Sequence, residues 1–305
     1  MNPDTSELIN SIDFENIEKH PNILIAASFW EEKRYAAAKV CYGFMRMIDD
    51  HIDNRKANDE VISCFEKQEL AEKVNSWIKC LNNTTEKDPF IKELTDTIST
   101  FKIPLQLFHN FAKSMLYDID HIGFSTLSEF IEYSEGASVA PASVFVHLSC
   151  LSEENNQYIT PDFDVVQVAR PCAMFSYIVH IIRDFQEDQL SNLNYFALDI
   201  LQKNNLSPSD LKGIAGGGSV PDSFRNVIRE YYALAEVYSE QTRVELQKLT
   251  TKIDSRYLLS LHVIYNLYKL VFDRIDIENG EFTAKELNPS PQEIKENVSM
   301  VVSAW

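Results

Sequence analysis

The chain has 305 residues and an apolar fraction of 45%, which permits one large domain or two ordinary ones. Its formal net charge is −18, which argues against binding nucleic acid, and against docking on anionic lipid through a polybasic patch. A phosphate-bearing substrate would therefore have to be bound by metal ions or by a few well-placed arginines.

The five cysteines are scattered and form no C-x-x-C pair, so we interpret them as small buried hydrophobic residues rather than disulfides or zinc ligands. The acidic N-terminus lacks the apolar stretch of a signal peptide. We therefore expect a soluble, cytoplasmic protein that makes at most peripheral contact with a membrane.

Helical periodicity runs through almost the whole chain, which has only eight glycines and few alternating β-branched runs. We predict an all-α, single-domain helical bundle with a central apolar cavity. The predicted helices cover residues 23–53, 59–81, 89–100, 105–119, 127–151, 163–188, 221–249 and 255–277. Pro141 is expected to kink the fifth of them.

Two polar segments, residues 82–88 and 204–220, are predicted to be loops. The second contains three consecutive glycines, but no preceding strand and no following Lys-Ser/Thr pair, so it is predicted to be a connector rather than a phosphate loop. We assign residues 1–280 to the helical domain. Residues 281–305 form a C-terminal tail that either docks on the domain or frays.

The stretch FMRMIDDHIDN places unusual charge on a helix that otherwise looks buried. At 100° per residue, Tyr42, Arg46, Asp49 and Asp53 form one stripe, and apolar residues flank it on both sides. The stripe is therefore predicted to face inward.

The stretch IVHIIRDFQEDQ repeats the same anomaly. Tyr177, His180, Asp184 and Asp188 form a second stripe among isoleucines and a phenylalanine. Glu187 adds a third acidic group, and an arginine lies beside the stripe.

Two carboxylates four residues apart on a helix repel each other, and the repulsion grows when the site loses water. A Mg²⁺ ion relieves it, because this ion prefers carboxylate oxygens and completes its shell with water and phosphate. A single D-x-x-x-D in an acidic chain usually marks a solvated helix face. Two such motifs, each framed by apolar residues and an arginine, favour a metal site shared by facing helices.

A cavity that is acidic at one end and apolar along its length suits an amphiphile with a diphosphate head and a hydrocarbon tail. Mg²⁺ would neutralise the leaving diphosphate, and arginines would add charge-assisted hydrogen bonds. The chain has 13 Tyr and 18 Phe, and a dry aromatic wall would protect the allylic cation left behind. These patterns indicate prenyl chemistry driven by ionisation.

At this point the chain resembles the squalene/phytoene synthases, a family of head-to-head trans-prenyltransferases, from about residue 20 to residue 277. CYGFMRMIDDHID is similar to the first aspartate motif of that family, with Tyr42, Arg46, Asp49 and Asp53 in matching places.

HIIRDFQED is similar to the second motif, with matching Arg183, Asp184, Glu187 and Asp188. Residues 103–140 resemble a central segment of the family that ends in a tyrosine and a helix of small residues. YKLVFDRI resembles a C-terminal helix that carries an active-site tyrosine.

The resemblance implies the isoprenoid-synthase fold and the joining of two prenyl diphosphates through a cyclopropyl intermediate. It implies Mg²⁺ ligation by Asp49, Asp53, Asp184 and Asp188. It implies substrate-binding roles for Tyr42, Arg46, Tyr133, Arg183 and Tyr268. Squalene synthases reduce the intermediate with NADPH, whereas phytoene and dehydrosqualene synthases eliminate a proton, and this sequence has no dinucleotide fingerprint that decides between them.

The second motif departs from the family pattern at three places. His180 replaces the usual asparagine, Tyr177 replaces a frequent glutamine, and Leu193 replaces an arginine. His180 has three interpretations: a nitrogen ligand, a general base or hydrogen-bond donor near diphosphate, or a satisfied interior histidine. We keep His180 and Glu187 as candidate catalytic residues.

Three functions follow as hypotheses. The first is head-to-head coupling of two prenyl diphosphates, with farnesyl diphosphate the favoured substrate. The second is a terpene cyclase or lyase that ionises a single prenyl diphosphate, which the altered second motif suggests. The third is a scaffold without activity, which would tolerate loss of its aspartates.

Overall fold

The structure is a computed structural model, and it describes residues 9–14, 22–56, 62–82, 88–121 and 123–305. In chain order the first half contains α1 (Asn22–Ala27), α2 (Glu32–Lys56), α3 (Cys64–Cys80), α4 (Pro89–Thr100), α5 (Leu105–Asp120), α6 (Leu127–Ser134), a π-helical turn (Glu135–Val139) and α7 (Ala140–Cys150). The second half contains the strands β1 (Ser152–Glu154) and β2 (Gln157–Ile159), followed by α8 (Val165–Arg183), α9 (Phe185–Leu190), α10 (Leu198–Lys203), α11 (Pro208–Ala215), α12 (Asp222–Leu249), α13 (Ser255–Phe272), α14 (Ala284–Leu287) and α15 (Pro291–Ser303).

Side-chain caps explain where several helices begin. Ser63 and Glu66 form a capping box at α3, and Ser290 and Glu293 form another at α15. Asp88 caps α4, where the first helical position is a proline that lacks the N–H a cap would have to satisfy. The sequence therefore specifies these helix starts locally.

The helices pack as a bundle around α8. Helix α12 lies along α8, which also contacts α7 and α13, and α2 packs against α4, α5 and α7. The buried side chains form one core that runs through the helices and is rich in phenylalanine. This arrangement confirms the predicted all-α bundle.

Several predicted helices are interrupted. A turn at residues 28–30 separates α1 from α2, and the predicted helix at 163–188 ends at Arg183 and restarts at Phe185.

The start of the second predicted helix, residues 59–61, lies outside the described residues. Helix α13 ends at Phe272 rather than 277. The predicted loop at 204–220 contains α11, which the Ser207 capping box begins and the glycine run ends.

The predicted helix at 127–151 is continuous, but its irregularity precedes Pro141 by a turn. Residues 135–139 adopt π-helical hydrogen bonding, and Pro141 lies in the first turn of α7. Gly136 is required here, because a Cβ atom would lie only 2.4 Å from the carbonyl oxygen of Asn110. Its lack of a side chain lets the π turn press against α5.

One element departs from the all-α expectation, and the structure decides between the two alternatives for the C-terminal tail. β1 and β2 form a short antiparallel hairpin, turned by Asn155 and Asn156 in the left-handed region. The C-terminal tail docks: α15 packs on α13 and buries Ile294, Val298 and Val302.

Among the described helices, α8 alone is long and apolar enough to cross a membrane by length and composition. Half of that stretch is buried inside the bundle, and core helices of globular proteins pass the same test. Its apolar character is accounted for by its central place in the fold.

Candidate active site

A cavity of about 890 Å³ lies inside the bundle, and both acidic stripes open onto it. From α2 the lining includes Tyr42, Arg46, Asp49 and Asp53; from α8 and α9 it includes Tyr177, His180, Arg183 and Asp188. The remaining wall is largely apolar and includes Met45, Phe111, Met115, Phe145, Val146, Leu246, Leu249, Leu261 and Ile264. The structure therefore joins an acidic region and an apolar region in one space.

Helix α2 turns its acidic stripe to the cavity because its apolar stripe is held in the core. Phe44, Ile48 and Ile52 are almost completely buried, which sets the rotation of the helix. The C-terminal turn of α2 is anchored by Lys56, whose Nζ lies 3.1 Å from Oδ1 of Asp118 on α5. The register of Asp49 and Asp53 is therefore set at both ends of the stripe.

Three carboxyl groups at the cavity have pKa values well above the ordinary range. Burial, followed by repulsion from Asp53, raises the pKa of Asp49 to about 7, and burial and Asp118 raise that of Asp53 to about 6. Burial, Asp184 and Asp53 raise the pKa of Asp188 to about 8. Asp53 and Asp188 line the same cavity from different helices, so their carboxylates lie near enough to repel each other.

Asp184 has a different environment from these three groups. It accepts hydrogen bonds from Nε and Nη2 of Arg183, at 2.6 and 2.7 Å, and Nε2 of His180 lies 2.9 Å from its Oδ2. Burial alone would raise the pKa of Asp184, but His180 and Arg183 outweigh it and hold that pKa below its ordinary value. Asp184 is not among the residues that line the cavity.

The other predicted site residues are distributed unevenly. Tyr133 and Tyr268 line the cavity, and burial raises the pKa of both hydroxyls. Arg46 lies at the cavity and is 55% exposed; it pairs closely with Asp50, at 2.7 Å, and more loosely with Asp49, at 3.4 Å. Glu187 is exposed and does not line the cavity.

Sequence reasoning missed Asp118, a buried carboxylate on α5. The Tyr133 hydroxyl donates to its Oδ2 at 2.6 Å, and Nδ1 of His121 lies 3.3 Å from its Oδ1. Burial alone would raise the pKa of Asp118, but His121, Lys56 and Tyr133 hold it below the ordinary value. The signal that could have found it is the one used for α2, an aspartate on the apolar face of a helix.

A buried, ionised Asp118 orients the Tyr133 hydroxyl. Because that hydroxyl donates its proton to Asp118, its oxygen can act toward any further partner only as an acceptor. An oxygen so polarised is suited to a site where positive charge develops on a hydrocarbon.

The carboxylates at the cavity suit Mg²⁺ by their chemistry. Among the described residues, no three acidic, histidine or cysteine side chains lie close enough together to hold a metal ion as they stand. The chemistry of Asp49, Asp53 and Asp188 nevertheless fits a hard cation, because they are oxygen donors whose mutual repulsion a cation would relieve. Asp53 and Asp188 make no side-chain hydrogen bond or ion pair with any other described residue, so both are free to ligate.

Comparison with known proteins agrees with this geometry. The family model described as squalene/phytoene synthase matches residues 18–291. The chain is 22% identical to chloroplastic phytoene synthase 1 of Zea mays over 259 residues, which is 83% of this chain and 58% of that protein. The chain thus spans little more than half the length of this curated relative.

Solved structures share the fold. A dehydrosqualene synthase solved in complex with ligand has a TM-score of 0.68 and 15% identity, with 99% of each chain covered. The squalene synthase HpnC of Alicyclobacillus acidocaldarius has a TM-score of 0.60 and 12% identity, covering 87% of this chain and 96% of that one. At these identities the likeness supports the fold, and the family model covers most of the sequence. The chain therefore belongs to the squalene/phytoene synthase family.

Proposed function

We propose that the protein is a Mg²⁺-dependent prenyltransferase that joins two prenyl diphosphates head to head. Farnesyl diphosphate is the proposed substrate, and a cyclopropyl intermediate leads to a squalene-, dehydrosqualene- or phytoene-type product. The observation that carries the proposal is the single cavity onto which two acidic stripes and a long apolar wall open together. Family membership supports the same chemistry.

The cavity is large enough for substrates with long prenyl tails. Small-molecule sites usually enclose about 300–1,000 Å³, and this cavity, at about 890 Å³, lies near the upper end of that range. Its apolar side chains come from α2, α5, α7, α12 and α13, so prenyl tails would be surrounded on several sides.

Each residue at the cavity has a chemical task in this proposal. Asp49, Asp53 and Asp188 would hold Mg²⁺, which when bound neutralises the charge of a leaving diphosphate. Arg46 would donate charge-assisted hydrogen bonds to a diphosphate, although its pairing with Asp50 must first loosen. The apolar wall excludes water from the allylic cation, and the lone pairs of Tyr133 stabilise positive charge beside it.

The alternative is a cyclase or lyase that ionises one prenyl diphosphate. The engagement of Asp184 by Arg183 and His180 favours it, since that contact alters the second motif. A coupling enzyme must bind a second diphosphate. Because Asp184 is paired with Arg183 and His180, fewer carboxylates remain to hold the metal ions that would bind it.

Incubation with farnesyl or geranylgeranyl diphosphate and Mg²⁺, with and without NADPH, separates the two functions. Identification of the hydrocarbon by gas chromatography–mass spectrometry gives the outcome. A coupled thirty- or forty-carbon product supports the proposal, and a dependence on NADPH shows reduction of the intermediate. A cyclic fifteen- or twenty-carbon product supports the alternative. The Asp53→Asn variant is the inactive control, and failure to release diphosphate from either substrate contradicts both functions.

A further inference from the structure

Arg183, His180 and Asp184 form a closed network of hydrogen bonds at the end of α8. Arg183 donates Nε–H and Nη2–H to the two oxygens of Asp184, and Nη2 also lies 3.1 Å from Nδ1 of His180. Nε2 of His180 in turn lies 2.9 Å from Oδ2 of Asp184. Each of the three side chains therefore contacts the other two.

The chemistry of arginine determines how the imidazole takes part. A guanidinium has donors only, so Nδ1 of His180 must accept the bond from Arg183. Nε2 then carries the proton and donates it to Asp184, which as a carboxylate only accepts. One neutral tautomer of His180 satisfies both contacts at once, and it leaves neither ring nitrogen free to ligate a metal or accept a proton.

The backbone holds Asp184 in this position. Helix α8 ends at Arg183, and Asp184 adopts φ −92° and ψ 5°, outside the α-helical region. The amide N–H of Asp184 bonds to the carbonyl oxygen of His180 at 2.9 Å. The chain leaves the α-helix at Asp184, and α9, which begins at Phe185, carries Asp188, which lines the cavity.

Asp188, four residues later in the same motif, has an environment that leaves it available as a metal ligand. Its carboxylate lines the cavity, has no hydrogen-bond or ion-pair partner among the described side chains, and is repelled by Asp53 across the space. Asp184 instead is 15% exposed, and its two oxygens are occupied by three donor atoms, Nε and Nη2 of Arg183 and Nε2 of His180. Ligation by Asp184 would leave the guanidinium of Arg183, 18% exposed, without its partner.

We propose that Asp184 is the internal counter-ion of Arg183 and His180 rather than a magnesium ligand. The metal site of this chain is then built from Asp49, Asp53 and Asp188, and the second motif contributes one carboxylate instead of two. This inference rests on the proposed function only for the identity of the metal. His180 becomes a positioning residue that holds Asp184 and Arg183 in place. Arg183 keeps Nη1, which has no partner among the described residues, as its donor toward a substrate.

Titration with MnCl₂, followed by electron paramagnetic resonance in the presence of inorganic pyrophosphate, tests the assignment without turnover. We expect Asp188→Asn to weaken Mn²⁺ binding about tenfold or more. Asp184→Asn should keep the affinity and stoichiometry of the wild type. Equal losses in the two variants would overturn the inference, and absence of Mn²⁺ binding by the wild type would overturn the metal site as a whole.

A second measurement on the wild-type chain remains decisive if Asp184→Asn folds poorly. In protein labelled with ¹⁵N-histidine, the His180→Gln variant identifies the signals of His180. Addition of Mg²⁺ and pyrophosphate should leave the Nε2–H signal in place if Asp184 stays bonded to it. A shift of that signal to the position of a free imidazole would show that Asp184 has moved to the metal. Neither readout needs a prenyl substrate. A negative coupling assay would therefore not bear on the role of Asp184, and a negative result in either readout would not bear on the coupling reaction.

Discussion

In the absence of divalent cations, raising the pH from about 5.5 to about 7.5 is expected to destabilise the protein. The cause is the acidic cavity, where burial and mutual repulsion raise the pKa values of Asp49, Asp53 and Asp188 to about 7, 6 and 8. Between the unfolded pKa of about 3.9 and these folded values, the native state binds more protons than the unfolded state. The free energy of unfolding therefore falls as the pH rises through this window.

The magnitude follows from Asp49 taken alone. A folded pKa of about 7 keeps Asp49 mostly protonated until the upper part of the window, while the unfolded group is ionised throughout. At 1.36 kcal/mol per pKa unit, the loss is about 2 kcal/mol, or roughly 4 °C in Tm for a chain of this size. The Asp49 side chain is 31% exposed, so solvent screening makes this an upper figure for that residue. The contributions of Asp53 and Asp188 are coupled to it and do not simply add.

Urea unfolding at the two pH values, in EDTA and in Mg²⁺, measures the effect. We expect Asp49→Asn to be more stable than the wild type at the higher pH in EDTA and to show a weaker pH dependence. Asp162→Asn removes an equal charge from an exposed position and serves as the matched control for the general effect of net charge. Mg²⁺ should restore stability to the wild type at the higher pH. A wild-type stability that is constant or rises over this window in EDTA would refute the reasoning.

Four further outcomes are expected. Asp118→Asn should lower the free energy of unfolding by about 3 kcal/mol in urea, because it leaves Lys56 without its carboxylate partner. The double variant with Lys56→Met should recover most of this loss. No recovery would exclude the ion pair as the cause. Tyr133→Phe should slow product formation about tenfold with farnesyl diphosphate, and it should also lower Tm by a few degrees because the buried Asp118 loses a hydrogen-bond donor. The rates are compared at a temperature where both proteins are folded, and an unchanged rate would remove Tyr133 from the mechanism. Arg34→Met should lower the free energy of unfolding by about 3 kcal/mol, because the buried guanidinium donates to two carbonyl oxygens at the end of α7. Urea unfolding measures this, and a decrease below about 1 kcal/mol would contradict that role. Truncation after Pro289 should lower Tm by several degrees by exposing the face of α13 under α15; an unchanged Tm would mean that α15 contributes no stability.

Periodicity and the flanking apolar residues were sufficient to predict that the acidic stripe of α2 faces inward. Asp49 and Asp53 lie on the same face as Tyr42 because the helix repeats every 3.6 residues, and flanking apolar residues direct that face inward. The structure places this stripe and Asp188 at one cavity, as the sequence predicts. Metal ligation itself remains a prediction.

The position of Asp184 required the tertiary structure. A period of 3.6 residues extended through the second motif puts Asp184 on the stripe, but the chain leaves the α-helix at that residue. At the break, Asp184 is bonded by the side chains of Arg183 and His180, and the following helix α9 packs against α11 and α14. Helical periodicity carries no information about such a local competition.

The environment of Asp118 is a second feature that sequence patterns could not predict. A lone aspartate in a helix has no sequence signal for its partners, which here are Lys56, His121 and Tyr133. His121 is local, because it follows Asp118 at the end of α5, but Lys56 and Tyr133 come from other helices and reach Asp118 only through the packing of the bundle. The need for Gly136 likewise depends on tertiary structure, because it arises from the close approach of the π turn to α5.

The sequence by itself determined the helical class, the family and the faces on which charge is buried, because these depend on local periodicity and on short motifs. The tertiary structure decided which carboxylates are free to bind a cation and which are already paired. That difference arises because burial and hydrogen bonding, rather than residue type, set the state of an ionisable group.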